Sequence, residues 1–472
     1  MNAKMKEYTP LPMFDEKVVA IQKLPVRVTV VGKKLWLVLA LFTTILILHC
    51  TSVLTFILSS LSVKFTTATP IIFDVPHASI HCPNVSPIAE SSYISRQNAL
   101  AEVLYNSGAS AYIAEPGANA AYFGNISLSN WRLSERPLLL IIIPIVSQDG
   151  TTTSFSANIS VLTPSFEATR AKLIPVPSAN EVTYPEWPEE INPYEVALSA
   201  VVGDGDIFTD GNMRQFVVDG LRDAANGRKV VTAPMELRRL RERKSPEEID
   251  ILKCANELTL LALRAAREKM YIGITESEAR NLVTTALTQT GLQNAGALTL
   301  FGENAALPHG SGTDRVLQND EFVLVDCGGS LYGYQSDLTR TFALDDSKII
   351  SSRQDIWKLV HKAQSVAMLG AMNGTLTGDV DLVARTSLDT WNKFFTHRLG
   401  HGIGLEGHES PYLLGGSKDI ILTGHTFSNE PGIYVENWIG IRLEDCFYIN
   451  ELGFPEYLTE GVGGQAKSPW IL

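Results

Sequence analysis

The chain lacks the sequence signatures of several large protein classes. It has no Walker loop and no zinc-finger spacing, which argues against a P-loop nucleotide cofactor. Basic residues are in deficit, because 39 Lys and Arg stand against 51 Asp and Glu. The resulting net charge of −12 argues against nucleic acid as a partner. No internal repeat with a solenoid period is present, so the 472 residues are expected to form two domains and an appendage.

Formal charge is absent from one stretch near the amino terminus. Residues 35–63 contain no Asp, Glu, Lys or Arg, and about 20 apolar residues are enough to span a bilayer. The tail at residues 1–34 has seven basic and three acidic residues, which places it in the cytoplasm. We therefore expect a single-pass type II membrane protein with a signal anchor and the rest of the chain lumenal or extracellular. The alternative is a secreted protein, released by signal cleavage near residues 67–69.

Cysteine is scarce, with five residues in the whole chain. Cys50 lies in the predicted span, while Cys327 and Cys446 adjoin acidic residues and are expected to be small buried side chains. The remaining two are Cys82 and Cys254, and an oxidising compartment would allow one disulfide between them. Asn-x-Ser/Thr sequons that would permit a glycoprotein follow the span at Asn84, Asn125, Asn158 and Asn373.

Composition and periodicity divide the rest of the chain into three regions. Residues 64–86 are predicted to be a stem. Residues 87–240 alternate helical and strand patterns, and the apolar run at 138–145 is typical of a buried central strand. The sequence Ser-Pro-Glu-Glu at 245–248 combines an N-cap, proline at the first helical position and a capping-box glutamate. It predicts a helix that opens a second domain at residues 245–472.

Two acidic residues of the second domain lie on a predicted hairpin. Residues 321–327 predict a strand, the Gly-Gly pair that follows predicts a turn, and residues 336–344 predict the returning strand. Because side chains alternate along a strand, Asp337 shares a face with Thr339. Asp326 and Asp337 are therefore expected to face each other across this hairpin.

Two further acidic residues lie on a second predicted hairpin. Residues 426–435 and 441–449 predict its strands. Glu430 lies on the first strand. Glu444 lies on the second, and Arg442, two residues earlier, shares its face. Both carboxylates are expected to point at one site.

A single histidine, His401, lies between the two hairpins in the Gly-rich segment 400–404. The glycines allow backbone to pass close to a crowded centre. The imidazole and the four carboxylates would hold more negative charge than one divalent cation neutralises. Without cations, such a cluster would have to take up protons or repel itself open. Two cations bridged by shared carboxylates are therefore expected, and such a pair is typical of a hydrolytic site.

The five residues and their flanking sequences resemble one known family. VLVDCGG, YQSDLTRTF, LGHGIGL, SNEPGIY and IRLEDCF are similar to the ligand segments of the pita-bread metallopeptidases, which include methionine aminopeptidase, aminopeptidase P, prolidase and creatinase. The resemblance covers residues 245–472. It extends to accessory residues, which are His309 in LPHG, His397, His408 and Arg442. The histidines resemble those of the aminopeptidase P and prolidase branch.

The upstream region resembles the creatinase-type N-terminal domain through RQNALAEVLYNSGASAYI, NAAYFGN and RPLLLIIIP. The implied fold class is α/β (α+β). A creatinase-like three-layer domain at residues 87–240 would be followed by the pita-bread catalytic domain at residues 245–472. A single transmembrane helix would precede both.

The resemblance also implies a role for each ligand. Asp337 and Glu444 would bridge two divalent cations. Asp326 would complete the coordination of one cation, and His401 with Glu430 that of the other. Glu430 would also act as the base that takes a proton from the attacking water. Manganese is the expected metal because carboxylate-rich sites suit Mn²⁺, and Zn²⁺, Co²⁺ and Fe²⁺ are the alternatives.

The accessory residues are expected to serve catalysis and substrate binding. His408 would pass a proton to the leaving nitrogen, with His309 as the next candidate for this catalytic role. His309 and His397 would orient the substrate. Arg442 would fix the ligand carboxylates through bidentate bonds, which we favour over a contact with substrate.

The expected substrates are peptides with proline at the second position. An aminopeptidase P-like enzyme would remove the residue before proline, whereas a prolidase would split the Xaa-Pro dipeptide and must hold its free carboxylate. Many archaeal-type prolidases have an arginine four residues after the histidine matched by His408, but this chain has Tyr412 there. That difference favours the aminopeptidase. A third hypothesis is a member of the fold that binds peptides or proteins without catalysis. We also allow for a homodimer.

Overall fold

The structure, a computed structural model, describes residues 71–472. The predicted tail at 1–34 and the predicted membrane span at 35–63 therefore lie outside the described residues. Among residues 71–472, no helix combines the length and the apolar character that crossing a membrane requires. The signal anchor stays a prediction.

A six-stranded sheet forms the centre of the region between residues 87 and 240. Its strands are β1 (Ala109–Ala114), β2 (Leu139–Asp149), β3 (Thr152–Pro164), β4 (Glu186–Trp187), β5 (Asp206–Thr209) and β6 (Val230–Thr232), in the order β4-β3-β2-β1-β5-β6. The helices of residues 71–244 are α1 (Ala78–His81), α2 (Glu90–Asn106), α3 (Ala118–Gly124), α4 (Ala168–Lys172), α5 (Pro193–Ser199), α6 (Gln215–Ala224) and α7 (Met235–Glu242).

The apolar run predicted as a buried central strand forms the first part of β2. Leu140 and Ile142 pack in the same hydrophobic cluster as α2, whereas Leu139 and Ile141 pack in the cluster that contains α6. Both faces of the strand are therefore covered, which is why its apolar residues are continuous and do not alternate with polar ones.

The second region begins with α8 (Pro246–Arg267), as the sequence predicts. The Ser245 hydroxyl accepts a hydrogen bond from the Glu248 amide, and the Glu248 carboxylate accepts one from the Ser245 amide, which completes a capping box. Thr275 and Glu278 make the same reciprocal pair at the start of α9 (Glu276–Gln289). The later helices are α10 (Ser351–Gly370) and α11 (Thr377–Ser387).

Three sheets surround the predicted site. Their strands are β7 (Gln293–Phe301), β8 (Val323–Leu331), β9 (Tyr334–Gln335), β10 (Leu338–Phe342), β11 (Gly400–Gly402), β12 (Glu409–Leu413), β13 (Thr426–Asn429), β14 (Gly432–Val435), β15 (Ile439–Arg442), β16 (Asp445–Ile449) and β17 (Pro455–Tyr457). The orders are β10-β8-β7 with β9 beside β8, then β12-β11-β13-β16-β17, then β14-β15.

The prediction of a turn at Gly328 and Gly329 is wrong. Both residues lie inside β8, and the chain reverses later, at Tyr332 and Gly333. A Cβ atom added at Gly328 would lie 2.1 Å from the carbonyl oxygen of Ser336. Glycine is therefore required here because another strand approaches closely, and not because the chain turns.

The second hairpin in the structure also differs from its prediction. Each of its two strands is interrupted at the predicted ligand, so that Glu430 separates β13 from β14 and Glu444 separates β15 from β16. β13 pairs with β16, and β14 pairs with β15 in a separate sheet. Pro431 has no N–H to donate, so an unbroken ladder is disfavoured at that point. Both carboxylates thus lie at sheet discontinuities, where their side chains are free to turn inward.

The predicted disulfide between Cys82 and Cys254 is present. It closes a loop across 172 residues, and the chain-entropy model gives such a link about 5 kcal/mol of stabilisation. The described part of the predicted stem also packs on the second region. Phe73 is 5% exposed within a core cluster, and its amide donates to Gln289 Oε1. Cys327 and Cys446 are free and buried, as predicted.

Candidate metal centre

Side chains of the five predicted ligands converge at one place. Asp326, Asp337 and Glu444 form one trio whose ligand atoms all lie within 4.8 Å of one another, and His401, Glu430 and Glu444 form another. Glu444 belongs to both trios. Asp337 also lies near the second trio, since its Oδ2 atom is 3.8 Å from His401 Nε2. The geometry is that of two adjacent cation sites with shared carboxylates.

A threonine on β10 joins the two halves of this centre. Thr339 pairs in register with Asp326 of β8, and Asp337 immediately precedes β10. The Thr339 hydroxyl donates a 2.6 Å hydrogen bond to Glu444 Oε2. The Glu444 amide in turn donates to the Thr339 carbonyl oxygen at 2.9 Å. Thr339 therefore fixes Glu444 beside the carboxylates of the first hairpin.

His401 is oriented for metal binding by its own backbone. Its Nδ1–H donates to the Gly402 carbonyl oxygen at 3.1 Å, which leaves the Nε2 lone pair available. Nε2 lies 3.2 Å from Glu430 Oε1. The Ser428 hydroxyl accepts from the His401 amide at 3.1 Å and donates to Glu430 Oε1 at 3.2 Å. One serine thus holds two predicted ligands together.

Arg442 is buried beside the ligands, with 2% of its side chain exposed. Its NH2 donates to Asp326 Oδ2 at 2.7 Å and its Nε to Thr339 Oγ1 at 3.1 Å. Its NH1 donates to the Tyr434 hydroxyl at 3.2 Å and to the Pro308 carbonyl oxygen at 3.3 Å. The predicted bidentate bonding is wrong, because the donors are divided among four groups. Arg442 therefore holds Asp326 through a single bond, and its contact with substrate stays a prediction.

The buried carboxylates need positive counter-charge. Burial, with the neighbouring Glu430 and Asp326, raises the pKa of Glu444 to about 8. Burial also raises the pKa of Glu430 to about 7. Burial and the neighbouring carboxylates, Glu444 first, raise the pKa of Asp337 well above its usual range. With protein groups alone, these carboxyls would hold protons near neutral pH, whereas divalent cations would keep them ionised. This donor set fits two hard or borderline divalent cations, and manganese stays a prediction.

His408 lies at the edge of the same centre. Its ring centroid is 4.0 Å from that of His401, and it forms a third trio of potential ligand atoms with Asp337 and His401. Burial and the adjacent His401 lower the pKa of His408 to about 4, so its imidazole is neutral at pH 7. His309 is exposed in the segment after β7.

His397 is engaged on both sides. Its Nδ1–H donates to the Arg398 carbonyl oxygen at 2.7 Å, and its Nε2 accepts from the Tyr434 hydroxyl at 2.8 Å. The predicted substrate contact would require His397 to release one of these bonds. In this geometry it instead positions Tyr434, which in turn contacts Arg442.

Sequence reasoning missed Arg398. Its guanidinium carbon lies 4.5 Å from the ring centroid of Tyr412, a residue paired with His401 between β11 and β12. Its charge contributes to the lowered pKa of His408, after burial and His401, so it lies close to the site. Within residues 71–472, Arg398 forms no ion pair. The sequence feature that could have identified Arg398 is its position between His397 and His401.

Comparisons with known proteins agree with this geometry. The model of metallopeptidase family M24 matches residues 250–451. An uncharacterized peptidase of Schizosaccharomyces pombe is 36% identical over 389 residues, which is 81% of this chain and 84% of that protein. A dipeptidase from Mycobacterium ulcerans has a TM-score of 0.71 at 26% identity, over 79% of this chain and 97% of its own. Aminopeptidase P of Escherichia coli shares the fold with a TM-score of 0.63 at 20% identity, over 80% and 97%.

Proposed function

The chain belongs to metallopeptidase family M24, and from that membership we propose that it is a dinuclear exopeptidase that hydrolyses Xaa-Pro bonds. It would remove the amino-terminal residue that precedes proline, as aminopeptidase P does. The observation that carries the proposal is the pair of overlapping ligand trios that share Glu444. His408 lies beside them in space, and His397 lies four residues before His401 in the sequence.

The proposed chemistry gives Glu430 two roles, as a metal ligand and as the base. Asp337 and Glu444 would bridge the metals, with Asp326 on one side and His401 and Glu430 on the other. When bound, two divalent cations would polarise the scissile carbonyl group and lower the pKa of the attacking water. Glu430 would take the proton of that water, since its carboxylate lies beside His401 at the centre of the site.

The leaving group sets a further requirement. The nitrogen of an Xaa-Pro bond is a tertiary amide, so it must gain a proton before it can leave. His408 is the proposed donor. It would receive the proton that Glu430 takes from the attacking water and pass it to this nitrogen, and its lowered pKa favours release of that proton. His309 is the alternative donor, because it is exposed and free of the packing that confines His397.

A second candidate function is an Xaa-Pro dipeptidase, or prolidase, and Arg398 favours it. A dipeptidase must bind the free carboxylate at the end of its substrate. The Arg398 guanidinium is half-buried, stacks on Tyr412 and lies close enough to lower the pKa of His408. It could supply the cation that Tyr412 does not, because arginine binds carboxylates well.

One assay separates the two functions. The purified protein, with added Mn²⁺, would be given an Xaa-Pro dipeptide, the same dipeptide amidated at its carboxyl end, and longer Xaa-Pro peptides. An aminopeptidase is expected to cleave the longer peptides, and a prolidase the free dipeptide alone. No cleavage of any Xaa-Pro bond, with metal bound, would contradict both proposals.

Arg398→Met tests the dipeptidase directly. Loss of a charged hydrogen bond is expected to raise KM for the free dipeptide by roughly 10- to 100-fold, with KM for the amidated dipeptide unchanged. Arg132→Met, which removes an exposed arginine elsewhere, is the matched control. Equal effects on the free and amidated dipeptides would rule out a carboxylate contact by Arg398.

We propose, finally, that residues 35–63 anchor the protein in a membrane as a type II signal anchor. The support is the charge-free length of this stretch and the basic tail before it. The disulfide between Cys82 and Cys254 is typical of an oxidising compartment.

The full-length protein is expected to stay with membranes after carbonate extraction, and deletion of residues 1–64 is expected to release it. Glycosidase sensitivity of the predicted sequons would give a second readout of lumenal exposure. If expression of the full-length chain instead gives a soluble protein whose amino terminus lies near Thr69, the signal has been cleaved.

A further inference from the structure

The loop that carries His408 connects β11 to β12. We define the His408 loop as residues 404–409, which include Glu409, the first residue of β12. The first residue of the loop is fixed by the Gln335 amide, which donates to the Gly404 carbonyl oxygen at 2.8 Å. Leu405, the next residue, packs partly buried against hydrophobic clusters of both the amino-terminal and the carboxy-terminal regions. The loop thus lies between the two regions of the chain.

Most of the charged anchoring of this loop comes from the residues that lead out of the amino-terminal region. Arg241 on α7 forms an ion pair with Glu406 and lies 3.5 Å from Glu409. Lys244 forms an ion pair with Glu409 at 2.5 Å. Asn212 Nδ2 donates to Glu406 Oε1 at 3.3 Å. These residues are 165 to 194 positions away from their partners along the chain.

The Arg241–Glu406 pair is held in place on both sides. The side chain of Arg241 is 12% exposed and that of Glu406 is 33% exposed. Burial opposes the charge of Arg241, but Glu409 and Glu406 outweigh it and raise the pKa of this guanidinium. A buried charge that loses its partner is costly, so this pair restrains the loop more firmly than an exposed pair would.

His408 itself has few restraints of its own. It is exposed, and its close neighbour is the His401 ring at 4.0 Å between centroids. Its distance from the reacting bond is therefore set by the backbone of the loop, and displacement by about 1 Å can cost roughly 100-fold in rate. A restraint two residues away, at Glu406, is well placed to control that distance.

We propose that Arg241 and Glu406 are positioning residues, through which the amino-terminal region holds His408 at the distance that proton transfer requires. The inference rests on the role given to His408 in the proposed function. It assigns the amino-terminal region a part in catalysis without any contact with substrate. Asn212 would assist by holding the second oxygen of Glu406.

The test is a double-mutant cycle between Glu406→Gln and His408→Ala in the full-length, metal-loaded protein. Glu406→Gln alone is expected to lower kcat on an Xaa-Pro peptide by roughly 10- to 100-fold, with KM and metal content within twofold. In the His408→Ala background the same change is expected to lower kcat by less than twofold, because the group that it positions is gone. Glu236→Gln, an exposed glutamate on α7, is the matched control.

Two further variants guard against a simple folding defect. Asn212→Ala removes only the second restraint on Glu406 and is expected to lower kcat by a smaller factor in the same direction. Glu406→Asp, which keeps the negative charge that pairs with Arg241, is expected to retain more of kcat than Glu406→Gln.

The outcomes separate this inference from the proposed function. An unchanged kcat for Glu406→Gln, beside a large loss for His408→Ala, would overturn the inference alone. An equal loss from Glu406→Gln in both backgrounds would also overturn it, since Glu406 would then act independently of His408. If His408→Ala has no effect, the proposed proton donor is wrong, and the coupling to Glu406 is wrong with it.

Discussion

Replacing Glu430 with glutamine is expected to remove nearly all turnover while the protein stays folded. Glu430 lies in the break between β13 and β14, where Ser428 donates to its carboxylate and His401 Nε2 lies 3.2 Å away. Glutamine has nearly the same shape but cannot accept a proton from water. General-base catalysis alone is worth roughly 10²- to 10⁴-fold, so kcat should fall by at least that factor. Initial rates on an Xaa-Pro peptide measure it.

The control for this change is Glu436→Gln, which makes the same substitution at an exposed position beyond β14. It should retain the wild-type rate. Metal content and thermal unfolding of both variants would be measured together, because Glu430 is also a proposed ligand. If Glu430→Gln keeps activity within about threefold of wild type, Glu430 has no part in the mechanism.

His408→Ala is expected to lower turnover by roughly 10²- to 10⁴-fold, because the proline nitrogen would leave without its proton donor. Metal content is expected to stay unchanged, since the two trios that share Glu444 do not include His408. Elemental analysis beside steady-state kinetics measures both quantities. His77→Ala, which removes an exposed imidazole near α1, is the matched control.

Two results would contradict the assignment of His408 in different ways. Loss of metal would make it a ligand, which its position near Asp337 and His401 allows. Retention of both metal and rate would move the proton donor elsewhere, and His309→Ala would then be the next variant.

Local sequence patterns were enough to predict the parts of this structure that depend on near neighbours. The capping box at Ser245 is set within four residues, and the structure confirms it. Strand alternation placed Asp337 and Thr339 on one face, and Thr339 does contact Glu444. The prediction of the central strand in the amino-terminal sheet also depends on local sequence alone, because its continuous apolar run indicates burial on both faces.

The errors have a different physical origin, since they concern contacts between distant segments. The Gly-Gly pair predicts a turn at Gly328, yet the role of this residue depends on the approach of Ser336, which the local sequence does not reveal. The breaks at Glu430 and Glu444 likewise follow from pairing among four strands. Arg398 has no motif of its own and becomes a candidate only when Tyr412 and His408 are seen beside it.

The disulfide between Cys82 and Cys254 has a consequence for proteolysis. Every peptide bond between these two cysteines lies inside a closed covalent ring, including the exposed stretch at Val202 to Asp204. A protease that cuts there opens the backbone but does not release a fragment. On a denaturing gel the cut protein should migrate as one band without a reductant and as two bands with one. A single band on a non-reducing gel is therefore no evidence that the chain has escaped cleavage.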